Sequence, residues 1–161
     1  KLGVLADTHD RLERTQRAVE MLVAAGAETL LHCGDLTGPD IVEACSVLPF
    51  YFVFGNHDAD TVPDLKQAAE DFGATCLGWG GEVTLSGTRI GLVHGHLTSD
   101  LRPLLESSPE FIFSGHSHMA RDWQDESTRR VNPGALHRAK EFSVALVDLD
   151  SDDVRFLTVP R

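Results

Sequence analysis

The chain has 161 residues, 42% of them hydrophobic and 24% charged, the balance of one globular domain long enough to bury a core. Its 14 basic and 25 acidic side chains leave a net charge of −11, which argues against a nucleic-acid partner, because such partners are held by Lys and Arg patches. No apolar run reaches the about 18 residues of a membrane span, and no Gly-rich phosphate-binding pattern calls for a nucleotide cofactor.

The first half alternates strand and helix patterns. Lys1 to Ala6 reads as a strand, and Arg11 to Ala25 as a helix with Leu12, Val19, Leu22 and Val23 on one face. Asp10 and Glu13 resemble a capping box, and Gly26 sits where a helix-ending glycine belongs. A strand over 29–33, a short helix near 39–47, a strand over 50–54 and a helix over 63–72 follow, the last with Pro63 in its first turn. Such β-α-β units imply parallel strands joined by right-handed crossovers. The second half is richer in strands. Residues 82–85 and 89–93 read as a hairpin turning at Ser86-Gly87-Thr88. A helix over 99–106, a strand over 111–114, and further strands near 120–125, 128–132, 142–149 and 153–158 complete the chain. This pattern predicts an α/β (α+β) domain spanning residues 1–161, with a second sheet stacked on the first and helices outside.

Five polar clusters interrupt this pattern, nearly all of them directly after an apolar run. They are Asp7-Thr8-His9, Gly34-Asp35, Gly55-Asn56-His57-Asp58, His94-Gly95-His96 and Gly115-His116-Ser117-His118. Strand carboxyl ends are where open α/β sheets bind ligands, so distant parts of the sequence deliver Asp, Asn and His to one edge. Taken singly, each cluster reads first as a turn or loop, since Asp, Asn and Gly favour turns. Taken together, Asp7, His9, Asp35, Asn56, His94, His116 and His118 form a mixed N/O ligand set. Such a set suits first-row divalent ions and permits Mn, Fe, Zn, Co or Ni. It is too large for one four-coordinate ion and matches two ions sharing a bridging carboxylate, a role open to Asp35. Two dications against the charges of Asp7 and Asp35 leave the site positive, hence attractive to a phosphate ester, and acidify bound water into a nucleophile. His57, beside Asn56, is then the candidate acid for the leaving group, with Asp58 expected to orient it and raise its pKa.

The other histidines and the cysteines read differently. His32 lies inside a strand run and is expected to be a satisfied buried histidine. His96 has equal claims to a substrate phosphate and to solvent. His137 follows the loop signal Asn132-Pro133-Gly134. Cys33, Cys45 and Cys76 form no CxxC pair, and Cys33 is expected in the core. Odd, unpaired thiols and the lack of a leader-like opening point to the cytoplasm.

The order Asp-x-His, Gly-Asp, Gly-Asn-His-Asp, His, Gly-His-x-His resembles the calcineurin-like metallophosphoesterase superfamily, in particular its small single-domain phosphodiesterases. The motifs run from Asp7 to His118 without a substitution, and Asn132-Pro133-Gly134 is similar to the family's later segment. The resemblance implies a four-layer α/β/β/α sandwich with two mixed sheets and the dimetal centre at one edge. It implies Asp7, His9, Asp35 and His118 on one ion, Asp35, Asn56, His94 and His116 on the other, and His57 as catalytic acid supported by Asp58. It further implies a Mn-dependent phosphodiesterase with a small phosphate-ester substrate, active as a homodimer or homotetramer. Three alternatives share the fold: a retromer-subunit-like protein-binding scaffold, which lacks the catalytic histidine present here as His57, a phosphomonoesterase, and a nuclease.

Overall fold

A computed structural model describes residues 1–161. Its first sheet contains β1 (Leu2–Leu5), β2 (Thr29–His32), β3 (Phe50–Phe52), β4 (Thr75–Cys76), β10 (Ser143–Asp148) and β11 (Asp153–Thr158), in the order β11-β10-β1-β2-β3-β4. Strands β1 to β4 are parallel, while β10 and β11 add antiparallel at the β1 side. The second sheet contains β5 (Gly80–Leu85), β6 (Thr88–Val93), β7 (Phe111–Phe113), β8 (Arg121–Asp125) and β9 (Thr128–Asn132), in the order β5-β6-β7-β9-β8. Here β6, β7 and β9 are parallel, and β5 and β8 are antiparallel edges. Both sheets are therefore mixed.

The apolar runs are continuous because these strands are buried on both faces. Leu30, Phe50, Phe52, Val144 and Leu146 face α1 (Leu12–Ala24), α2 (Pro39–Cys45) and α3 (Val62–Phe72), against Leu22, Ile41 and Leu65. Their neighbours Leu31, Val53, Ala145 and Val147 point the other way and meet Leu92, Phe113 and Val131 of the second sheet. This is the two-residue side-chain period of a strand. Helix α4 (Thr98–Ser107) covers the far side of the second sheet, with Leu104 on Val93 and Ile112. The layers are thus α/β/β/α, as expected. The aromatic run beginning at Phe50 belongs to the core, since Phe50, Phe52 and Phe54 are all buried.

Three sequence expectations are corrected. Strands β10 and β11 belong to the first sheet, where β10 pairs with the free side of β1 (Leu2 opposite Val147); hydropathy marks a strand but not the edge it joins. Strand β4, only two residues long, carries too little pattern to be read. Asp10 and Glu13 form no capping box. Asp10 has φ 57°, its amide donates to Leu36 O, and its carboxylate lies where a Cβ on Gly38 would sit. Gly26, with φ 94° immediately beyond α1, does end that helix as read.

Candidate metal centre

Six parallel strands, β1, β2, β3, β6, β7 and β9, stop at one edge of the sandwich, and each is followed by a loop bearing polar residues. Backbone hydrogen bonds lock these loops together. Asp7 N donates to Gly34 O, His9 N to Asp35 O, Gly115 N to His94 O and Leu136 N to Asp7 O. The loops turn sharply. Asp7, His9, Asp35, His116 and His118 all have positive φ, from 43° to 67°, a conformation that costs non-glycine residues about 1 kcal/mol or more. Concentration of that strain on five expected ligands marks a functional edge.

The side chains converge. Ligand atoms of Asp7, His9 and His118 lie within 4.8 Å of one another, as do those of Asp7, Asp35 and His94. Asp35 Oδ2 is 3.4 Å from both His9 Nε2 and His94 Nε2, so this one carboxylate oxygen touches an imidazole of each group. Asp7 Oδ1 is 3.2 Å from His118 Nε2 and 4.0 Å from His94 Nε2. Asn56 Oδ1 is 3.1 Å from His94 Nε2. The His116 ring lies 5.1 Å from that of His94, and the His116 amide donates to Asp7 Oδ2 at 3.0 Å. All seven expected ligands thus reach one place. His57 joins them: its ring is 5.0 Å from His9 and its amide donates to Asp35 Oδ1 at 2.9 Å. The open cavity here, about 340 Å³, is lined by His9, Asp35, His57, His116, His118, His137 and Arg138, with no hydrophobic residue.

This donor set fits divalent cations on the structure's own terms. Asp7 Oδ1 and His9 Nε2 are buried and make no hydrogen bond of good geometry, despite neighbours at 3.2 to 3.4 Å. An orphaned buried polar atom costs about 1–3 kcal/mol, and a shared cation removes that cost. The donors are carboxylate, amide and imidazole only. Cys33 packs in the inter-sheet core as read, its thiol pushed far up by burial, and only its carbonyl reaches the site, accepting from His94 Nδ1 at 2.7 Å. That bond fixes the His94 tautomer and turns Nε2 toward the acids.

Charges in the cluster are strongly coupled. Burial alone would raise the Asp35 pKa, but the hydrogen bond and charge of His94, the His57 amide and His9 bring it down to about 2. The Asp7 carboxylate raises His118, against its burial. Burial opposes charge on His94, yet Asp35 and Asp7 raise it overall. Burial takes His9 down to about 4. Without cations, protons on imidazole offset the paired acids.

The expected role of Asp58 is corrected. Its buried carboxylate does not orient His57; both oxygens are taken by backbone amides. Oδ2 accepts from Asp35 N and Gly55 N, each at 2.8 Å, and Oδ1 from Thr37 N at 2.7 Å. It clamps the Asp35 loop to the Asn56 loop. Gly55 completes that clamp, since a Cβ there would run into the Asp35 carboxylate. His32 is the satisfied buried histidine expected. Nδ1 accepts from Gly34 N at 3.2 Å, so Nε2–H donates to Thr8 Oγ1 at 3.1 Å, tying the first two ligand loops together. Asn132 plays a part its sequence context did not reveal. Its Nδ2 donates to Gly115 O at 2.8 Å and Ser117 Oγ at 3.1 Å, while Oδ1 accepts from Gly134 N, which braces the loop of His116 and His118. Asn-Pro-Gly signals a turn, and only the neighbouring β7 loop gives the amide its use. His137 and His96 flank the centre, at 4.7 Å from His9 and 5.3 Å from His94, ring to ring.

Comparison with known proteins gives the family and the fold. The calcineurin-like phosphoesterase superfamily domain matches residues 1–152. A probable metallophosphoesterase of Methanothermobacter thermautotrophicus is 31% identical, covering 94% of this chain and 87% of its own. A phosphodiesterase of Methanocaldococcus jannaschii is 25% identical, covering 83% and 82%. Among solved structures, an archaeal phosphodiesterase superposes with TM-score 0.87 at 22% identity, covering 98% and 99%. Vps29 of Entamoeba histolytica shares the fold at TM-score 0.66 and 16% identity, covering 99% of both chains.

Proposed function

The chain belongs to the calcineurin-like phosphoesterase superfamily and is a metal-dependent phosphoric ester hydrolase; we propose that it is a phosphodiesterase acting on small phosphodiesters. The observation that carries this reading is the convergence of seven N/O donors with His57 beside a cavity that has no hydrophobic lining. Asp7, His9, Asp35 and His118 would hold one ion, and Asp35, Asn56, His94 and His116 the other. We infer Mn as the metal, with Fe, Zn, Co and Ni tolerated by the same donors. Two divalent ions bound there would supply Lewis acidity toward the phosphoryl oxygens and would acidify a bound water.

The chain's own groups do the rest. His57, exposed at the rim and held by its amide on Asp35 Oδ1, would act as the general acid toward the leaving alkoxide oxygen. Asp58 acts through the backbone, keeping the Asp35 and Asn56 loops in register. We read residues 1–161 as a single domain that carries the whole candidate site. Two buried thiols and a third half-buried, none disulfide-bonded, favour the cytoplasm. No helix is long and apolar enough to cross a membrane. A homodimer or homotetramer would cover the exposed Val23 on α1 and Val47 just beyond α2.

The test is His57→Ala with Mn and bis(p-nitrophenyl) phosphate. Turnover falls about 10²–10⁴-fold with metal content unchanged. Unchanged turnover would remove His57 from the chemistry. Protein purified without chelator that holds no transition metal, and that Mn does not activate, would favour the protein-binding scaffold reading.

A further inference from the structure

Beside the metal centre lies a cluster of arginines with no acidic partner. Arg11, Arg14 and Arg17 follow one another at three-residue spacing, which puts them on one face of the first turns of α1. With Arg161 they line a cavity of about 400 Å³, which also includes Asp10 and Glu13. The chain has 25 acidic residues, yet the ion pairs of the molecule include none of these four arginines. They lean on carbonyls and rings instead. Arg14 donates to Leu136 O at 2.6 Å and stacks 3.8 Å over Phe142, while Arg17 donates to Pro160 O at 3.2 Å. Arg14 Nε is buried without any partner. Burial, then the neighbouring guanidiniums of Arg11, Arg161 and Arg17, hold the Arg14 pKa below its ordinary value.

The position is also unfavourable for cations. The start of a helix carries partial positive charge, so arginines there oppose the dipole, and like charges three residues apart repel. A cluster that opposes the dipole and its own members, and that no acid side chain pairs, is preorganised for an external anion. His137 connects it to the centre: Arg11 Nε donates to His137 Nδ1 at 3.3 Å, and the His137 ring is 4.7 Å from His9.

Building on the phosphodiesterase reading, we propose that the preferred substrate is a phosphodiester carrying a second phosphate on one of its alcohol groups. The diester occupies the metal centre, and the second phosphate sits in the arginine cavity beyond His137. Arginine forks match phosphate oxygens in pairs, and backbone amides at the helix start add to that match.

The test compares the p-nitrophenyl ester of thymidine 5′-phosphate with the same compound phosphorylated at the 3′-oxygen, on the Mn-loaded protein and on Arg11→Gln/Arg17→Gln. The 3′-phosphate should raise kcat/KM about tenfold or more in the native protein and by no more than about twofold in the double variant. The plain diester should differ by less than about threefold between the two proteins. No preference in the native protein, or an equal preference in the variant, overturns the inference. A calorimetric titration of inorganic pyrophosphate into chelator-treated protein provides a second readout, independent of catalysis. Binding at least about tenfold tighter to the native protein than to the double variant upholds the inference; equal or absent binding overturns it. Should the native protein cleave neither ester, the phosphodiesterase reading falls and the titration alone decides the arginine site. Arg17→Gln by itself, a surface change, replaces the double variant if the latter melts early.

Discussion

Asp58→Asn separates a loop clamp from a histidine-orienting role. The native carboxylate accepts three amides with two oxygens. Asparagine is isosteric but has one acceptor oxygen. The best arrangement leaves that oxygen on Asp35 N and Gly55 N and turns the new NH₂ toward Thr37 N–H. One charge-assisted bond, worth about 1.5–3 kcal/mol, is lost and two donors oppose each other. Part of that loss is offset, because burial raises the Asp58 pKa in spite of its amides, and the substitution removes a desolvated charge. A net loss of about 1–2 kcal/mol remains, equivalent to a drop of about 2–8 °C in Tm for a chain of this length. Asp35 is one of the amides held, so the metal loop loosens and Mn affinity falls about 10–100-fold, as for other groups that support a ligand from behind. Differential scanning calorimetry and Mn titration of metal-free protein measure both effects. Unchanged Tm and Mn affinity, combined with a kcat loss as large as that of His57→Ala, would refute the clamp and restore the orienting role.

Gly55→Ala drives a methyl into the Asp35 carboxylate, so metal titration should show at least about a tenfold loss of Mn affinity with the protein still folded. His94 and His118 carry raised pKa values in the absence of cations, so protons compete with metal there. Mn affinity measured across pH 8 to 6 should fall with acid and release protons on binding; a flat profile contradicts the ligand set. Burial lowers the His32 pKa to about 3, whereas the unfolded chain takes up its proton near 6.5. The unfolded state therefore binds more protons below that pH, and stability is lost as pH falls from about 6.5 toward about 3. This contributes about 2 kcal/mol between pH 7 and 5 in urea unfolding of metal-free protein, and His32→Gln should flatten that slope.

The positions of the candidate ligands were legible because strands buried on both faces leave a plain mark. An unbroken apolar run that stops at Gly or Asp announces a strand end, and Asp7, Asp35, Asn56, His94, His116 and His118 follow such stops directly. The alternation of strand and helix implied parallel strands, which all end on one side, so the gathering of these residues follows from local pattern alone. What lies behind the ligands follows from no local pattern. Asp58 sits next to His57 in sequence, yet its carboxylate turns inward to amides 21 and 23 residues away. Asn132 finds its carbonyl on Gly115 because β9 pairs with β7, and β10 returns to β1 because that side of the first sheet was open. The arginine cavity likewise depends on where the His137 loop passes α1. Hydropathy and turn chemistry act over a few residues and are carried by the chain itself. Strand pairing, the aim of a buried carboxylate and the partners missing from a charged cluster are settled between segments far apart, and only the folded arrangement holds them.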